Sequence, residues 1–185
     1  MRGVKMTDKE KKYFALTFVS KDRYGIVADV SKVLFDNGFN LEDSSSTLLR
    51  GFFSMILIVA TRQDYTEEDI KRMFDSLKDI SISVRKMNGS DATIAEGLSY
   101  VVSVYGSDKP GIVYKVTDYL RSKNINVIDL QTKVAGKENK PIYIMVLEIL
   151  VPENYQEEEW TVPLKALSDQ MGTDIHIRQI ETYEF

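Results

Sequence analysis

With 185 residues, 43% of them hydrophobic and 28% charged, the chain has the composition of a folded globular protein and not of a disordered one. Its longest apolar run, residues 55–60, is strand-sized and far below the roughly 18 residues that span a bilayer, and residues 1–12 hold no apolar core of the kind a secretory signal needs. A net charge of −4 with scattered lysines and arginines disfavours direct nucleic-acid binding, and the lack of cysteine excludes disulfides, thiolate catalysis and thiolate zinc sites. These features lead to the expectation of a cytoplasmic protein with no membrane contact.

Residues 1–12 read as a mobile tail. From residue 13, Phe14, Leu16 and Phe18 alternate with Ala15 and Thr17, the two-residue period of a strand. After Asp22-Arg-Tyr-Gly the period becomes helical, with Ile26, Val30, Val33 and Leu34 on one face, and Gly38 is placed to close the helix in the left-handed conformation. A hairpin over residues 41–60 turns near Arg50 and Gly51. Thr66 with Asp69 makes a capping-box start to a second helix carrying Ile70, Met73, Phe74 and Leu77, and Ile80, Ile82 and Val84 form a last strand. The polar stretch 88–97 reads as a linker.

The same order then begins again. Shifted by 86 positions, residues 21–46 fall on 107–132 without a gap, and Asp22, Gly25, Ile26, Val27, Val30, Leu34, Asn40 and Asp43 meet Asp108, Gly111, Ile112, Val113, Val116, Leu120, Asn126 and Asp129. Tyr100, Val102 and Val104 answer the first strand, Asn124 answers Gly38, and a hairpin over 127–151 turns across 136–140. Thr161 and Pro163 are taken to open the last helix, with Glu157, Glu158 and Glu159 as a solvated acidic run before it, and Ile175 and Ile177 mark the closing strand. Two copies of βαββαβ predict an α+β chain of two tandem ferredoxin-like domains, 13–87 and 98–185, each an antiparallel four-stranded sheet with both helices on one face. In the hairpins Phe52, Ile56 and Ile58 alternate with Phe53, Met55, Leu57 and Val59 and leave neither face of the strand polar, so the helix-free sheet face is expected to pack on the other half or on a second chain.

The repeated loop is where chemistry is expected. Asp22 and Asp108 are placed to cap the helices, leaving the remaining N–H groups free to meet a ligand carboxylate, while Gly25 and Gly111 permit close approach and Pro110 fits the first turn.

Asp22-Arg-Tyr-Gly-Ile-Val and Asp108-Lys-Pro-Gly-Ile-Val resemble the Asp-x-Pro-Gly signature of ACT domains, and Asn40 and Asn126 match a second position of that pattern. The resemblance covers 13–87 and 98–181; the first copy departs from it with Tyr24 in place of proline. A chain made of two such units is similar to the glycine cleavage system repressor family. The resemblance implies a non-catalytic regulatory module that binds an amino acid at Asp22, Tyr24, Gly25, Ile26, Val27 and Asn40, and at Asp108, Pro110, Gly111, Ile112, Val113 and Asn126. It also implies action through a homo-oligomer, such as a dimer, or a protein partner. Because a helix of about 12 residues, roughly 18 Å, separates each asparagine from its own loop, each site is expected to be shared, Asn126 serving the loop 22–25 and Asn40 the loop 108–111. A protein–protein adaptor, or a regulatory subunit of an enzyme complex, is the alternative.

Other residues carry less. His176, the one histidine, alternates with Ile175 and Ile177 and is expected at a surface or interface, and Asp43 and Asp129 lack the spacing of a metal set. Trp160, Tyr100, Tyr105 and Tyr143 are expected in the core or an interface. No metal and no cofactor is expected.

Overall fold

Apolar side chains at every second position need one covered face, and that requirement shapes both halves of the chain. In a computed structural model, which describes residues 10–88, 97–136 and 141–180, the chain divides into two compact units, Met1–Thr93 and Ile94–Phe185. The first runs β1 (Lys12–Lys21), α1 (Ile26–Asp36), β2 (Asn40–Leu49), β3 (Phe52–Thr61), α2 (Glu67–Met73) and β4 (Ile80–Lys86). The second runs β5 (Leu98–Gly106), α3 (Ile112–Ser122), β6 (Asn126–Ala135), β7 (Ile142–Val151), α4 (Glu157–Met171) and β8 (Thr173–Gln179). Each unit is a four-stranded sheet, ordered β2-β3-β1-β4 and β6-β7-β5-β8, with every neighbouring pair antiparallel. The expected ferredoxin-like topology is therefore present twice. Most of the expected tail, 1–9, and linker, 89–96, and the turn residues 137–140 lie outside the described residues, while Lys12 already belongs to β1.

Each unit has its own core. In the first, Phe14, Leu16 and Phe18 of β1 and Met55, Leu57 and Val59 of β3 are covered by Ile26, Val30 and Leu34 of α1 and Ile70 of α2. In the second, Val102, Val104, Leu147 and Ile149 lie under Val116, Leu120, Trp160 and Leu164. An edge-to-face aromatic pair ties the first strand to the second helical segment in both, Phe18 on Phe74 and Tyr100 on Trp160, each with ring centroids 5.1 Å apart. Such pairs add about 0.5–1.5 kcal/mol beyond the area they bury.

The helix ends obey the sequence at one terminus and depart from it at the other. Gly38 and Asn124 both have positive φ, and the N–H groups of Phe39 and Ile125 each reach back 3.0 Å to Leu34 and Leu120, the left-handed closure expected of two different residue types. Thr66 and Asp69 make the expected capping box of α2, but that helix ends at Met73, so Leu77 lies beyond it. The last helix starts earlier than expected. Its N-cap is Gln156, whose backbone N–H donates to the Glu159 carboxylate at 3.3 Å, so Glu157, Glu158 and Glu159 form the first turn, and Thr161 and Pro163 lie inside the helix. Carboxylates next to the positive end of the helix dipole explain this start, and Trp160, buried and edge-on to Tyr100, anchors the turn before the proline.

A β-bulge at the same place in both units follows no sequence signal. The register slips between Leu41 and Asp43 and again between Val127 and Asp129. Among the described residues, no helix is long and apolar enough to cross a membrane.

Candidate functional site

The loop that joins the first strand to the first helix is held from two sides. β1 and β3 stay paired as far as Lys21 and Phe52, and Asp22 then donates its backbone N–H to the Gly51 carbonyl at 2.9 Å, carrying the ladder to the hairpin turn. Gly25, at φ 87, swings the chain into α1 and is itself the N-cap, as Gly111 is for α3 at φ 95. Neither helix has a side-chain cap. Asp22 and Asp108 therefore do not cap. A capping side chain reaches the second or third helical residue; these are Val27 and Ala28 here, too far along the chain for the Asp22 carboxylate.

The consequence is an open helix mouth. The first helical hydrogen bonds run from Asp29 N–H to the Gly25 carbonyl at 2.8 Å and from Lys115 N–H to the Gly111 carbonyl at 2.9 Å. The N–H groups of Ile26, Val27 and Ala28, and of Ile112, Val113 and Tyr114, thus have no acceptor within their own helix, and they form the positive end of its dipole. The side chains of Ile26 and Ile112 are buried in the cores, so these two offer only backbone. Tyr24 is fully exposed, and Val27 and Val113 are exposed beside the mouths.

Two cavities flank the loop of the first unit. One, of about 600 Å³, is lined by Lys21, Asp22, Arg23, Phe52 and Asp79; the other, of about 540 Å³, by Asp22, Arg23, Tyr24, Gly25, Val27 and Phe53. Asp22 and Arg23 line both. The Arg23 guanidinium is 2.7 Å from the Asp29 carboxylate and also donates to the Tyr24 carbonyl at 3.2 Å, which fixes a cation in front of the helix.

In the second unit the same frame holds different chemistry. Gly106 pairs with Tyr143 as Ser20 pairs with Phe53, so a phenol stands where the first unit has a phenyl ring. Burial pushes the Tyr143 phenol above its ordinary value; a hydrogen bond with Thr132 works the other way, and the Asp108 carboxylate adds to the rise. The sign follows. A raised phenol favours folding below the unfolded value of about 10, and that contribution is lost as pH rises through the folded value. The denaturation midpoint is expected to fall on the alkaline side, more gently in Tyr143→Phe, as urea titrations across that range would show. Tyr100 and Tyr119, raised chiefly by burial, keep part of the slope in the variant.

The structure groups Asp22, Tyr24, Gly25 and Val27 at one mouth and Asp108, Pro110, Gly111 and Val113 at the other. It does not bring the asparagines to their own loops. Asn40 pairs with Ala60, eight residues along β3 from Phe52, or about 27 Å. Its amide donates to Glu42 at 3.0 Å and, with the Lys11 ammonium, holds that carboxyl below its ordinary range. Arg23, Phe52 and Phe53 line the cavities, and Tyr143 takes the place of Phe53 in the second unit; the sequence motif did not mark these four as candidate site residues. His176 is exposed, edge-on to Tyr105 at 5.8 Å. Asp43 accepts from the Ser44 N–H and Asp129 from Gln131. Among the described residues, no group of three or more histidines, aspartates or glutamates could hold a metal ion.

No family model matches the chain. A UPF0237 protein of Neisseria meningitidis serogroup A is 35% identical over 75 residues, 40% of this chain and 83% of that protein. The chain belongs to the UPF0237 family. Among solved structures, an unknown protein from Galdieria sulphuraria superposes with a TM-score of 0.80 at 26% identity, covering 93% of this chain and all of the other. A candidate glycine cleavage system transcriptional repressor superposes with a TM-score of 0.69 at 17% identity, covering 93% and 99%. This member of UPF0237 thus shares its fold, two tandem ferredoxin-like βαββαβ units, with that structure.

Proposed function

We propose that the chain is a non-catalytic sensor that binds an amino acid at its glycine-capped loops and passes its state to a partner macromolecule. The observation that carries this reading is the uncapped helix mouth of the first unit, opening beside cavities with Arg23 at their rim. Backbone N–H groups of Ile26, Val27 and Ala28 would take the carboxylate, as helix N-termini take anions generally, and Asp22 would accept the ammonium. Tyr24, Val27 and Phe53 would meet the side chain. Cavities of this size lie within the range of small-molecule sites.

In the second unit Lys109, Pro110, Val113 and Tyr143 would take the corresponding roles. The two mouths should not bind alike. The first sets Asp22 and Asp29 against Arg23, whereas Lys115 replaces Asp29 in the second and leaves cations in excess over Asp108. Asn40 and Asn126 enter the reading only if supplied from outside their own unit; Asn126→Ala then weakens binding.

Screening the proteinogenic amino acids by thermal shift tests the proposal. One or a few should raise the melting midpoint, because a ligand at about 100 times its dissociation constant adds about 2.7 kcal/mol to the folded state. If none shifts it, the adaptor reading stands in its place. That reading draws on Leu48, Leu49 and Phe52, which are exposed at the tip of the β2–β3 hairpin.

A further inference from the structure

The hairpin tip of the first unit is built into the walls of both cavities. Phe52 lines one and Phe53 the other, and the Gly51 carbonyl accepts the Asp22 N–H at 2.9 Å from the loop between them. The tip also carries an exposed flank and a turn of unfavourable backbone geometry. Arg50 and Gly51 form a two-residue turn with φ of 49 and 83, a conformation suited to asparagine or glycine at the first place and strained for arginine. Every residue of β2 is exposed, and among the described residues of the unit no strand lies beside its outer edge.

We propose that this tip, residues 47–53, is the element whose order changes when the loop is occupied, so that amino-acid binding is displayed outward as the stiffness of Leu48, Leu49 and Phe52. The inference rests on the sensor reading above. Its physical basis is linkage. Phe52 forms part of the wall of one cavity and Phe53 part of the wall of the other, so fraying of the tip opens both, and a molecule held against those walls binds the closed form in preference to the frayed one. Occupancy must then lower the population of the frayed form by the same factor by which the ligand favours the closed one.

Hydrogen exchange on the full chain, followed by mass spectrometry with and without a pool of the proteinogenic amino acids, tests this. Calorimetry with the same pool reports binding independently. Amides of residues 47–53 are expected to exchange about tenfold more slowly once a binding component reaches about ten times its dissociation constant, while α2, which lines neither cavity, changes less. Heat without slowed exchange at 47–53, or equal slowing in α2, overturns the inference and leaves the sensor reading intact. Absence of heat removes both.

Discussion

Trp160→Ala is expected to destabilise the second unit by roughly 3–5 kcal/mol, the usual cost of deleting a large buried aromatic. Trp160 is 1% exposed, lies edge-on to Tyr100, and has its carbonyl engaged by the Tyr119 hydroxyl at 2.7 Å. It follows the acidic first turn and precedes Pro163, so its contacts hold α4 across the point where the proline removes a helical hydrogen bond. A domain of ordinary stability, about 5–15 kcal/mol, would lose a large part of its margin. The cores of the two units share no residue. Urea unfolding of the variant, followed by far-ultraviolet circular dichroism, should therefore split into two steps, the second unit melting first. A single transition shifted as a whole would mean that the units unfold together.

Most of the fold was legible in the sequence because it is governed by periodicity and by backbone needs that few residues meet. Alternation at Phe14, Leu16 and Phe18 admits only a half-buried strand, and Gly38 aligned with Asn124 marks one left-handed closure in both copies. The errors came where several signals compete. Thr161 and Pro163 look like a helix start, yet three consecutive glutamates one turn earlier hold the positive end of the dipole better. Asp22 looks like a cap by residue type, but a glycine at φ 87 already sets the helix entry and leaves the carboxylate too far back. The candidate site was half legible for a related reason. Its backbone comes from one contiguous motif, whereas Phe53 and Tyr143 arrive from hairpins of unequal length, so the gapless repeat ends before it reaches them. The bulges at Glu42 and Ile128 occupy matching positions with unlike side chains, which no pattern of residue types could reveal.

Gly25 and Gly111 give the sharpest test of the site because their constraint is conformational. A β-carbon built at either position meets nothing within 4 Å, so a substitution there is resisted by backbone geometry and not by crowding. An ordinary L-residue held in the left-handed region costs roughly 1–2 kcal/mol, a β-branched one more, and asparagine tolerates it best. Gly25→Asn should thus stay near the parent in stability and retain binding. Gly25→Val should escape the strain by rotating the loop, which turns the N–H groups of Ile26, Val27 and Ala28 away from the cavity. A loss of affinity of at least tenfold at that mouth is the expected calorimetric result, with the buried core of α1 keeping the unit folded. Gly111→Val tests the other mouth in the same way, and the binding that survives each substitution identifies the mouth that carries it. Undiminished binding in the double variant would mean that the carboxylate is held elsewhere, because no rotation that relieves a valine at both caps could leave both sets of amides in place.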